Sequence, residues 1–377
     1  MSLNPFPRSR NRGEGNPSNE DPRGDHTSEG REGVALEDQV LLKPWGQEAT
    51  TAPGGDQAEQ IHAIGPWSLA WRRLRRNKVA LGFGCLFILL VALCFLAPVY
   101  SSDVAHIGPN QTNVTGTIKL NGKVTNVVSV DGIPIGPTLS SRYFFGADSE
   151  GRDLAVRLLY GGRTSLIIGA VATLIIIVFG TLVGLLCGFF RGPIDAILRP
   201  LMQLIWSFPP VILGVAVGTA LALGGIGPIK GNSLLVPAVI IGVIYVPYLG
   251  LPIRGEVLRL GQQDFVDAAR VQGMSPWRTM ISEILPNAAS TIIVFVPMML
   301  AYAILLEAYL SFLGAGVQPP NSSWGTLISD GLQYIFTAPY LSLIPGAMLV
   351  LTVLSINVVG DGVRDALDPR AQLRIKT

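Results

Sequence analysis

Charge is scarce in this 377-residue chain. Asp, Glu, Lys and Arg make up 14% of it, where a soluble globular domain carries about 25%. The formal net charge is only +2, too small to suggest nucleic acid as a partner. Cysteine is equally sparse. Cys85, Cys94 and Cys187 all sit inside apolar runs. The first two would stand roughly 13 Å apart along one helix, too far for a disulfide, so all three read as small buried hydrophobes. His26, His62 and His106 are scattered and make no metal-ligand spacing, so neither a metal nor a cofactor is expected. There is no Gly-x-x-x-x-Gly-Lys-Ser/Thr loop to cradle phosphates. No paired catalytic groups lie within an apolar run, so the chain does not read as an enzyme.

What the chain has instead is apolar length. Hydrophobic residues form 49% of it. Runs near 79–100, 163–190, 198–223, 234–252, 288–312 and 339–360 each approach the 20 or so residues needed to cross a bilayer. The sequence thus predicts an all-α membrane protein with six transmembrane helices. Gly169, Gly180, Gly184 and Gly188 mark close helix packing in the second run. Pro237, Pro247 and Pro252 predict kinks in the fourth. Residues 1–64 are polar, mixed in charge and without apolar periodicity, as in a disordered tail. The first apolar run begins only after position 78, which does not resemble a signal peptide. Residues 65–78 read as an amphipathic segment against the first span, 79–366 as the transmembrane domain, and 367–377 as a second tail.

Orientation follows from Lys and Arg placement. Arg72, Arg73, Arg75, Arg76 and Lys78 precede the first span. Arg191 and Arg199 lie between the second and third, Arg254, Arg259, Arg270 and Arg278 between the fourth and fifth, and Arg364, Arg370, Arg374 and Lys376 after the sixth. The loop between spans five and six has no Lys or Arg from Gly314 to Tyr340, and that between spans three and four has only Lys230. Both termini are expected in the cytoplasm of a cell-membrane protein. The 101–162 loop then lies outside, and within it 111–135 alternates polar and apolar residues around Asn121-Gly122, the pattern of a β-hairpin.

The loop 253–287 contains a compact polar stretch, DFVDAARVQGMSPWRTMISEILPN at 264–287. Asp264 is a candidate N-cap with Asp267 three residues on. Gly273 suits the left-handed residue that ends a helix, Ser275-Pro276 restarts one, and Pro286 is expected to stop it. Ala268 and Ala269 would leave one helical face nearly bare, ready for a groove in another protein. An interfacial hairpin lying on membrane lipid is the alternative.

The spacing Asp267-Ala268-Ala269, then Gly273, then Leu285-Pro286 resembles the coupling loop of ABC importer permeases. FGADSEGRDLAVRLLYGGRTSL at 145–166, EAYLSFLGAGVQPPNSSWG at 307–325 and NVVGDGVRDALDPR at 357–370 resemble dipeptide and oligopeptide permeases of that family; nickel and glutathione permeases look similar. Asp267 replaces the family's usual Glu. The resemblance implies the type I importer permease fold of six helices with a coupling helix. It implies a second homologous permease subunit, two cytoplasmic ATP-binding subunits and an extracytoplasmic substrate-binding protein as partners. It places the ATPase contact on Asp267, Ala268, Ala269, Gly273, Leu285, Pro286 and Asn287.

Four polar residues outside that loop are further candidates. Asp148, Arg152 and Asp153 read as a local ion cluster before the second span, or as a seat for the binding protein. Glu307 is an intramembrane acid, functional by default, with Arg163 as its expected structural partner. Asp361, Arg364, Asp365 and Asp368 have the i, i+3 and i+4 spacing that would close the end of span six. A proton-driven carrier using Glu307 is the rival reading. It lacks the further intramembrane charges and internal repeats such carriers use.

Overall fold

The computed structural model describes residues 66–120, 122–224 and 231–367. The expectations for the tail 1–64, for Asn121, Lys230 and Asp368, and for the C-terminal tail beyond Leu367 lie outside the described residues. The bundle consists of α1 (Pro66–Arg76), α2 (Lys78–Phe95), α3 (Leu154–Phe190), α4 (Pro193–Ser207), α5 (Pro210–Gly224), α6 (Leu235–Leu260), α7 (Asp264–Val271), α8 (Pro276–Phe312), α9 (Trp324–Leu332) and α10 (Tyr340–Leu367). Five of these are long and apolar enough to cross a membrane: α2, α3, α6, α8 and α10.

The expected third span differs in shape. It is a pair, α4 and α5, bent by 94°. The cause is Phe208-Pro209-Pro210. A residue before proline is pushed out of the helical region, and Phe208 is extended at φ −91° and ψ 137°. Counted as one broken span, the pair brings the total among the described residues to six.

Two other boundaries moved because acidic and basic side chains that look exposed in the sequence find partners, backbone amides in one case and opposite charges in the other. Helix α3 begins at Leu154 instead of 163. The Asp153 side chain caps it by accepting from the amides of Ala155 and Val156, at 2.9 and 3.2 Å. Helix α6 runs unbroken through Pro247 and Pro252 to Leu260, so the connecting loop is shorter than 253–287. Arg254 near its end makes a bidentate pair with Asp195 of α4, at 2.6 and 2.7 Å, and Glu256 pairs with Arg259.

The core lies between α3 and α6. Gly180, Gly184 and Gly188 form a stripe at four-residue spacing, and a Cβ on each would meet Leu249, Ile253 and Val257 of α6 at 3.0, 2.8 and 2.7 Å. The backbones therefore approach closely, the arrangement small residues allow in membranes. Gly169 performs the same role against Ile304 of α8.

The long loop before α3 carries the expected hairpin, β1 (Thr117–Leu120) against β2 (Lys123–Asn126), antiparallel, with Leu120 opposite Lys123 and Gly122 at φ +80°. A small cluster built on Val127, Tyr143, Ala147 and Val156 seats this region on the start of α3. Of the cysteines, Cys94 and Cys187 are buried as expected, but Cys85 is exposed on α2.

Candidate functional site

Helix α7 and the start of α8 form the polar element foreseen in the sequence, with changes. Its N-cap is Gln263, without a side-chain bond, and Asp264 is the first helical residue. The α7 end is as expected. The Gly273 amide donates to the Arg270 carbonyl at 3.0 Å and that of Met274 to the Ala269 carbonyl at 3.1 Å. Gly273 sits at φ +77° in open space. Ser275 caps α8, its hydroxyl accepting from the Arg278 amide, with Pro276 in the first turn.

Pro286 does not stop that helix. Residues Thr279–Ile284 form a wide π-helical turn in which the Leu285 amide donates to the Met280 carbonyl. Widening the helix just ahead of a proline relieves its clash with the preceding turn. The helix then continues to Phe312. Leu285 is half-buried, while Pro286 and Asn287 are exposed on α8, where the Asn287 amide donates to the Glu283 carbonyl at 2.6 Å. These three therefore stand on a different element from Gly273.

The two alanines part company. Ala268 is exposed, but Ala269 is buried alongside Val266, so it is part of the packing of α7 and not of an open face. The residue the sequence reading missed is Val271, 89% exposed at the end of α7. Its signal was present, since an apolar residue three positions after Ala268 falls on the same helical face. Asp267 forms an exposed pair with Arg270 at 2.9 Å, which contributes little to stability. The Trp277 ring, 4.7 Å from that of Phe190, ties the start of α8 to the end of α3.

At the opposite, hairpin end, Asp148 is the centre of the ion cluster. It accepts from Arg152 Nε at 2.7 Å, from Arg157 at 2.5 Å, and from the amides of Glu150 and Arg152 at 2.9 Å each. Arg157 also reaches Asp330 of α9 at 3.4 Å. Asp153, expected in this cluster, is instead the α3 cap and accepts the Tyr143 amide at 2.5 Å. Burial pushes its carboxyl up, against the three amides, Tyr143, Val156 and Ala155, that hold it down.

Glu307 is fully buried, and its partner is not Arg163. The Ser311 hydroxyl donates to it at 2.6 Å, and Ser165 and Ser323 crowd the same carboxyl. The guanidinium of Arg163 lies over the Phe95 ring at 5.8 Å. Near the end of α10, Asp361, Arg364 and Asp365 form no ion pair with one another among the described residues. Asp361 and Arg364 instead border a groove of about 710 Å³ between α8 and α10. No group of residues suited to a metal ion occurs among the described residues.

Residues 180–373 match the family described as the inner membrane component of binding-protein-dependent transport systems. Residues 65–118 match the N-terminal transmembrane domain of oligopeptide transport permease C. The chain is 33% identical to a dipeptide transport system permease protein of Alkalihalophilus pseudofirmus, over 83% of this chain and 92% of that protein. The chain belongs to this permease family. The permease is also 33% identical to a glutathione transport system permease of Pectobacterium atrosepticum, over 81% of this chain and 91% of that protein. It is 34% identical to the oligopeptide transport system permease of Escherichia coli K12, with the same coverage of both chains. It is an all-α, multi-pass membrane protein and a permease subunit of an ABC importer. Such a permease works with ATP-binding and substrate-binding partners.

Proposed function

We propose that this permease forms half of the path by which peptides, delivered by a binding protein, enter the cell. A homologous permease supplies the other half, and two ATPase subunits bind inside. The proposed site for them is the loop around α7, with Asp267, Ala268, Val271 and Gly273 at the contact and Leu285, Pro286 and Asn287 beside it. The observation that carries this is Val271. An apolar side chain 89% exposed, next to Ala268 on a short polar helix, is a face that awaits a groove. The dipeptide and oligopeptide names of the relatives favour peptide cargo, and the glutathione permease keeps a peptide-like cargo in view.

The Lys/Arg asymmetry supports a cytoplasmic α7 end and an external hairpin end. Single cysteines at Val130 and Phe336, each 97% exposed, should label with an impermeant thiol reagent on intact cells, while one at Val271 should label only after permeabilisation. The reverse pattern would invert the orientation. Cargo is tested in vesicles holding both permeases and the ATPases, supplied with binding protein. ATP should drive accumulation of trialanine. Accumulation of Ni²⁺ alone would remove peptide from this account.

A further inference from the structure

Helix α8 leaves a narrow stripe uncovered in its upper half. Tyr302 and Tyr309 are exposed on it, one helical face apart by seven residues. Across from Tyr302 lies the ring of Tyr245, itself buried at the edge of the core, at 6.0 Å, and it meets the Tyr248 ring edge-on at 5.0 Å. The Tyr248 ring in turn stacks on Trp206 at 4.9 Å, beside the break between α4 and α5. Three separate elements thus bring their aromatic rings to one place.

Its depth can be placed from helix geometry. Tyr302 lies roughly 15 Å along α8 from Phe312, and Tyr245 roughly 15 Å along α6 from Leu235. Both distances are about half of the hydrocarbon thickness, ~30 Å. The phenol hydroxyls of Tyr245, Tyr248 and Tyr302 have no hydrogen-bond partner among the described residues. A hydroxyl facing hydrocarbon without a partner is costly, so this face is suited to water. Tyr302 also borders the groove between α8 and α10, which continues through Met298, Thr291 and Asn357 to Asp361 and Arg364. The charges stand only at its cytoplasmic end.

We propose that Trp206, Tyr245, Tyr248 and Tyr302 form an uncharged aromatic station at mid-depth on the water-filled path, where a peptide is held before it leaves through the groove. This rests on the peptide-import reading above. Rings pack against side chains of any size, and the hydroxyls bond amides. Without a fixed charge, the station does not discriminate among peptides by side-chain charge.

The test uses the assembled complex in vesicles, with Cys85, Cys94 and Cys187 replaced by alanine. Tyr302→Cys is compared with Leu174→Cys, which is 61% exposed on α3 and faces lipid on this account. A hydrophilic methanethiosulfonate reagent is added from the ATPase side. Tyr302→Cys should react on the order of tenfold faster or more, since a thiol in hydrocarbon stays protonated and unreactive. Trialanine, delivered by its binding protein, should slow the reaction. Equal, slow rates for the two variants would overturn the station, and a fast rate that saturating trialanine leaves unchanged would overturn its role in holding cargo. A parent complex that imports no peptide counts against the peptide-import reading instead, while the labelling rate still reports whether Tyr302 meets water.

Discussion

The variant Gly273→Val should insert and assemble at normal levels and yet lose most of its ligand-stimulated ATP turnover and uptake. The cost is in the backbone alone. Gly273 has open space around its Cα, but its φ is +77°. A β-branched residue there costs on the order of 1–2 kcal/mol, which the chain can avoid by re-aiming α7 relative to α8. The buried side of the loop, Val266 and Ala269, stays packed, so the membrane bundle is not what fails. Asn tolerates the left-handed region better than other side chains, so Gly273→Asn should restore most of the activity. Ala268→Arg should act like valine, by crowding the docking face. Ala269→Arg is a different experiment, because it places a charge in a packed position and should lower assembly. If Gly273→Val transports as well as the parent at equal expression, the coupling role of the loop fails.

The second large effect is expected at the hairpin end. Asp148 holds two arginines and two backbone amides while itself only 4% exposed. Asp148→Ala leaves the buried Arg157 with Asp330 at 3.4 Å as its remaining ion pair. Removing one partner of a buried pair costs about 3–5 kcal/mol. The thermal midpoint of the purified complex should fall by several degrees or more, and the amount of complex in the membrane with it. Arg152→Ala, on the better-solvated side of the cluster, should cost less. Equal stability of Asp148→Ala and the parent would show that the cluster is not what seats the loop on α3.

The parts of this molecule that were legible in the sequence are those set by local chemistry. A positive φ at Gly273, a Ser275 cap followed by Pro276, a hairpin around Gly122 and a glycine stripe at four-residue spacing each depend on a few neighbouring residues. The parts that were not legible depend on partners far along the chain. Asp195 and Arg254 lie 59 residues apart, and their pairing lets α6 continue past the point where charge seemed to end it. Glu307 looked in need of a cation, but serines from α3, α8 and the start of α9 meet it instead. Ala268 and Ala269 are indistinguishable as letters. Only the packing of α7 onto the π-helical turn decides which of them is free. Pro286 ordinarily stops or kinks a helix, and the wide turn before it is a backbone adjustment that no residue type announces.

Whether α7 touches an ATPase subunit or lipid is decided by a contact measurement. Val271→Cys, in the complex lacking its other cysteines, is treated with a short thiol-to-amine cross-linker in the nucleotide-free state. A covalent product of the permease and the ATPase subunit should form, and it should be lost when Ala268→Arg is added. No such product, together with labelling of Val271→Cys by a lipid-partitioned thiol probe, would rule out the docking role and make this loop a hairpin lying on the membrane surface.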